Sequence, residues 1–307
     1  MTLNGRSRED PTDRVPFRAA LAAGSHPLDV LVLALIPAAL LGVFSLPEST
    51  RRSLAFAYAD PTPLTAFTAH YVHLRFEHLL ANLVGYGLLA GVGYLVAAAS
   101  RQRRLFFTAF VTFCLAFPFA LSALNLAVPR DAVGFGFSGI NMAFAGVLPL
   151  LLAVFACRRL APEASAYPVD LPIRLLPAGF LLLVGWMAVL ALPGGIDTRG
   201  LAGPLVMLLG AVVAVGQLRS LGAPDRPSLS ASLRSTVGRI RDRPGDGDLF
   251  AVGFVLAVAY PVVGFPPDAT ADGRIINLYV HLLGFSLAFI GPYVLIVAGK
   301  FPDPRTY

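Results

Sequence analysis

Charge is scarce in this chain. Only 14% of its 307 residues are Asp, Glu, Lys or Arg, against about 25% in a soluble domain. With 56% hydrophobic residues, that scarcity excludes an ordinary soluble domain. It describes a polytopic membrane protein, which buries apolar surface in lipid as well as in a core. Cysteine is nearly absent too. Cys114 and Cys157 lie in or at the end of apolar runs, and two such residues offer neither a disulfide framework nor a metal spacing. No metal and no other cofactor is expected. Tryptophan occurs once, at Trp186, and lysine once, at Lys300. The dearth of lysine beside many arginines reads as composition bias. No basic stretch is interleaved with aromatics on a soluble module, which argues against nucleic acid as a partner.

What the chain has is apolar runs. Eight of them, at roughly 28–46, 78–98, 105–126, 138–156, 175–192, 201–217, 249–265 and 277–299, approach the ~20 residues that cross a bilayer. Each must be a helix, because in lipid every backbone group has to be satisfied within its own segment. Residues 1–26 read as a polar tail, 27–299 as the membrane domain and 300–307 as a second tail. The acidic residues of the first tail argue against a mitochondrial presequence. With the N-terminus taken as cytoplasmic, eighteen basic residues fall in inner segments and six in outer ones. That bias favours eight spans with both termini cytoplasmic. The segment 219–248 is a basic cytoplasmic loop that can rest on anionic headgroups. Two outer segments stand out: 47–77, long and partly apolar, and 265–276, whose Pro266, Pro267 and Gly273 suit a mobile cap.

Polar residues converge at the outer ends of three spans. His78 and Asn82, four apart, share one face of the second span. Ser138 stands at the outer end of the fourth, within Gly136-Phe137-Ser138-Gly139. His281 lies about one turn into the eighth. The four-residue serine motif is weak evidence alone, since serine in membrane helices commonly packs or bonds to a neighbour. Small residues at Gly139, Ala143 and Gly146, and at Gly284, Ala288 and Gly291, let the fourth and eighth helices approach closely. Such packing brings Ser138 to His281, and a serine hydroxyl is a weak nucleophile until a base takes its proton. Asn82 and His78 are placed to donate to the oxyanion.

His73-x4-His78-x3-Asn82, Gly136-Phe137-Ser138-Gly139 and His281-x2-Gly284, in this order, resemble the signature segments of rhomboid intramembrane serine proteases. The resemblance covers residues 28–156 and 249–299. It implies an all-α, six-helix rhomboid-like core, with an extra two-helix hairpin at 175–217. It implies a Ser138–His281 dyad without a third acid. The oxyanion hole would come from His78, Asn82 and the backbone N–H of Ser138, with that of Phe137 beside it. Gly136, Gly139, Gly284 and Ala288 would serve close packing. The expected partners are transmembrane protein substrates, within a lipid bilayer, cut near their outer ends. Two family features are missing: the Trp-Arg pair of the first outer loop, and an aromatic at position 142, where this chain has Met142.

Other readings of the same residues remain. An inactive rhomboid-like protein would bind transmembrane helices without cutting them. A small-solute transporter is disfavoured by the lack of internal repeats and of intramembrane acids. His70 and His73 read as an interfacial, solvated pair. Asn141 and Asn277 read as polar packing groups. A metal held by His70, His73, Glu77 and His78 lacks the His-Glu-x-x-His spacing.

Overall fold

The computed structural model describes residues 15–127, 131–160, 171–191, 201–220, 237–238, 241–266, 270–271, 274–275 and 277–298. Residues 1–14, 300–307 and most of the basic loop 219–248 lie outside the described residues. So do Pro267 and Gly273 of the expected cap.

The protein is all-α, and 82% of the described residues are helical. In chain order its helices are α1 (Phe17–Gly24), α2 (Pro27–Phe44), α3 (Glu48–Ser53), α4 (Pro63–Thr68), α5 (Phe76–Ala99), α6 (Arg103–Val111), α7 (Phe117–Asn125), α8 (Ser138–Phe155), α9 (Leu171–Ala191), α10 (Ala202–Ser220), α11 (Asp246–Gly264) and α12 (Leu278–Val297). Two short antiparallel pairings complete it. β1 (Phe56–Ala57) joins β2 (Val133–Gly134), and β3 (Thr270–Ala271) joins β4 (Arg274–Ile275). Among the described residues seven helices are long and apolar enough to cross a membrane, with α6 and α7 counted as one; α9 carries a shorter apolar stretch, Ile173–Met187. Seven long helices thus stand where the apolar runs led us to expect eight.

The centre of the bundle is α8. Its apolar stretch is 89% buried, against 17% for α2 and 11% for α10 at the rim. The approach of α12 to α8 is made through missing side chains. A Cβ on Gly284 would lie 2.1 Å from the Gly139 carbonyl oxygen, and one on Gly146 would lie 2.2 Å from that of Phe285. Ala288 is buried on the same helix. The α9–α10 hairpin is antiparallel and closes through Gly185 against Gly203 and Gly210 against Ala178. It docks on α12 by stacking Phe180 on Phe289, 4.3 Å between ring centroids.

Proline shapes the bundle in a way the sequence does not advertise. Pro118 has no N–H to give to the carbonyl of Cys114 four residues earlier, and the helix relaxes into a π-turn over Thr112–Ala116. The freed Cys114 carbonyl accepts the Tyr71 hydroxyl at 2.6 Å. Pro37 frees the Leu33 carbonyl in the same way, and the Tyr86 hydroxyl donates to it at 2.7 Å. Each tyrosine satisfies a backbone oxygen that lipid cannot.

The end of the bundle opposite Ser138 is charged. Asp29, buried at the start of α2, accepts from Arg103 Nε at 2.7 Å and Tyr94 Oη at 2.9 Å. Arg159 grips Asp246 with two bonds of 2.8 and 2.9 Å. This pairing explains why α11 starts at Asp246, three residues before its apolar run. Both acids stand in the first turn of their helices. The polar tail needs correction, since residues 17–24 form α1. Gly24 lets α1 lie against the Ala98 carbonyl, and Phe17 covers Gly245.

Candidate active site

Ser138 is held by the segment before it. The β1–β2 pairing fixes Gly134 opposite Phe56, and Gly136 N–H donates to the Ala69 carbonyl at 2.9 Å. Gly136 has φ +111°, a region side chains rarely adopt. A Cβ there would also stand 2.6 Å from the His78 ring. Gly136 therefore serves a turn pressed on His78, and not the helix packing expected of it. Phe137 is fully buried between the rings of Tyr71 and Tyr86, at 5.6 and 6.0 Å. The same two tyrosines that satisfy the proline-freed carbonyls thus wall the socket that anchors the residue before Ser138.

Ser138 opens α8, and His281 lies in the first turn of α12. Their side chains meet, with Ser138 Oγ 2.8 Å from His281 Nε2. His281 Nδ1 lies 2.7 Å from the Gly264 carbonyl oxygen. That oxygen can only accept, so Nδ1 carries the proton. In the neutral imidazole Nε2 is then a lone pair facing the serine hydroxyl. Gly264 is the last residue of α11, where exposed helix carbonyls hold negative partial charge. A main-chain oxygen thus occupies the place that a carboxylate takes in a Ser-His-Asp triad: it fixes the tautomer and stabilises the imidazolium. Met142 packs its sulfur against Gly264 instead of stacking on the base. The aromatic contact to His281 comes from Phe265, edge-on at 6.1 Å. Asn277, one turn above the histidine, caps α12 by accepting from Val280 N–H at 3.1 Å.

The donors expected for an oxyanion divide. Ser138 N–H belongs to the first turn of α8, beyond reach of any helical carbonyl. Asn82 gives one Nδ2 hydrogen to the His78 carbonyl at 2.9 Å, and an amide nitrogen has a second to offer. His78 and Asn82 both line the cavity that holds Ser138 and His281. Phe137 N–H, in contrast, points at His73 Nε2, 3.4 Å away. That corrects its expected part in the hole.

His70 and His73 are not a solvated pair. Both are buried. His70 Nε2 lies 3.1 Å from Ser122 Oγ, and His73 packs edge-on to the His78 ring at 4.9 Å. Burial holds His70 down to about 4. Burial, and then the neighbouring His78, hold His73 down to about 3. Both are neutral supports of the serine segment. The expected loop 47–77 is anchored without a tryptophan. Arg51 donates to the His73 carbonyl at 2.6 Å and covers the Phe44 ring at 4.5 Å.

The cavity measures about 980 Å³, ample for a peptide segment. Its lining includes a polar wall of Tyr58, Asn125 and Asn277, joined by bonds of 3.0 and 3.1 Å. Sequence reasoning missed the Gly264 carbonyl, Phe265 and this asparagine wall. A backbone acceptor has no residue-type signal, and the wall joins positions 58, 125 and 277. Comparison of the chain with protein families, with curated proteins and with solved structures found no match.

Proposed function

We propose that the protein is an intramembrane serine endopeptidase of the rhomboid type, which hydrolyses peptide bonds in or near transmembrane segments of other proteins. The observation that carries this reading is the Ser138–His281 contact at 2.8 Å, with the far ring nitrogen held at 2.7 Å by Gly264. Ser138 Oγ adds to the scissile carbonyl carbon as its proton passes to His281 Nε2. The carbonyl oxygen becomes an oxyanion beside Ser138 N–H, Asn82 and His78. Collapse expels the amine, which takes the proton from Nε2. Water then adds to the acyl-serine by the same path and releases the acid and the free serine.

The seven long apolar helices support a site within a membrane, so the substrate class is a membrane-spanning segment delivered sideways. The excess of basic residues in alternate loops supports cytoplasmic termini; the membrane we propose is the plasma membrane of a prokaryote. The test is cleavage of a single-span substrate by the protein in liposomes. Wild type should cut it, and a folded Ser138→Ala variant should not. Proteolysis retained in that variant would remove the dyad from the account.

A further inference from the structure

We infer that Asn141 is a positioning residue that fixes the amide of Asn82 for the oxyanion; this rests on the protease reading above. Asn141 lies one turn into α8, facing α5, and is fully buried. Its Nδ2 donates to the Asn82 carbonyl at 3.0 Å and to Asn82 Oδ1 at 3.2 Å. With Oδ1 of Asn82 accepting from Asn141, the Asn82 Nδ2 is turned to the opposite side. There it meets the His78 carbonyl and keeps one hydrogen for a ligand in the cavity that Asn82 lines.

A second observation shows that this orientation is imposed. Asn141 Oδ1 is buried with no hydrogen-bond partner among the described residues. Buried polar atoms are nearly always paired, and an unpaired one calls for an explanation. Turning the Asn141 amide over would set its oxygen against two acceptors of Asn82, so the amide stays and its oxygen goes without. The side chain is also boxed in. A Cβ on Gly85 would stand 2.4 Å from the Tyr260 hydroxyl and 3.0 Å from Asn141 Nδ2. Tyr260 of α11 and Asn141 therefore share one notch on α5.

The test is a double-mutant cycle on substrate cleavage by the full-length protein, with melting in detergent followed in parallel. Asn141→Leu should lower kcat about tenfold, the value of one lost hydrogen bond, and leave KM unchanged. On an Asn82→Ala background the same change should cost less than twofold, because the residue through which Asn141 acts is gone. Should the leucine variant fail to fold, Asn141→Ser enters the same cycle and should show the same loss of effect on that background. Equal costs on both backgrounds, or a wild-type kcat in Asn141→Leu, would overturn the inference while leaving the protease reading standing. A folded wild type with no cleavage would overturn both.

Discussion

At one end of the bundle Arg159 and Asp246 meet as a bidentate ion pair, 2.8 and 2.9 Å, both nearly inaccessible. At the other, Ser138 and His281 meet as two neutral groups on the wall of a cavity. The charged end is locked further by Asp29 with Arg103 and Tyr94, and by Arg243 donating to the Arg159 carbonyl. Among the described residues the serine end holds two buried atoms without partners, His73 Nδ1 and Asn141 Oδ1, and the charged end holds one, Gln102 Oε1. Both ends bury polarity in an apolar bundle. The charged end uses it to tie α2 to α5 and α6, and the end of α8 to α11, while the serine end leaves donors facing open volume. Paired charge marks a fastening; neutral, incompletely satisfied polarity beside a cavity marks a place for a ligand.

Variants at the two ends should therefore separate activity from stability. Asn82→Ala should lower kcat by about 10²–10³, the usual cost of an oxyanion donor, with little change in melting temperature. Arg159→Ala should do the reverse. It strands Asp246 in the interior, which costs about 3–5 kcal/mol of stability. Denaturation in detergent should show the loss, while kcat per folded molecule stays near wild type. A collapse of kcat in a folded Arg159→Ala protein would break the division between the ends.

Smaller effects should sharpen it. Tyr71→Phe leaves the Cys114 carbonyl without its partner, at about 1–3 kcal/mol, and loosens the socket of Phe137. Melting should fall, with a modest loss of kcat. Acidification should also act at the serine end. His70 and His73 bind protons near pH 6.5 when unfolded but only near 4 and 3 when folded. The unfolded chain then binds more protons as pH falls below about 6.5. Stability should decline from there toward pH 4, and His70→Gln should flatten part of that decline.

The helical framework was legible in the sequence because an apolar run of twenty residues has one structural outcome in lipid. The meeting of Ser138, His281, His78 and Asn82 in one cavity followed from run lengths and the small residues at Gly139 and Gly284. What could not be read depends on partners distant in sequence or on main chain. His70 and His73 looked solvated because Ser122 and the Phe137 N–H, which occupy them, lie 52 and 64 residues away. The Gly264 carbonyl that orients the His281 ring is a feature of where α11 ends. Tyr71 and Tyr86 carried no signal in the sequence, since their partners are the proline-freed carbonyls of Cys114 and Leu33, 43 and 53 residues away.

The central claim is that Gly264 and His281 make Ser138 a nucleophile. Labelling of the detergent-solubilised protein with a fluorophosphonate probe tests it most directly. Wild type should be labelled, and folded Ser138→Ala and His281→Ala should not. An unlabelled wild type that melts cooperatively, or label retained in Ser138→Ala, would contradict the claim.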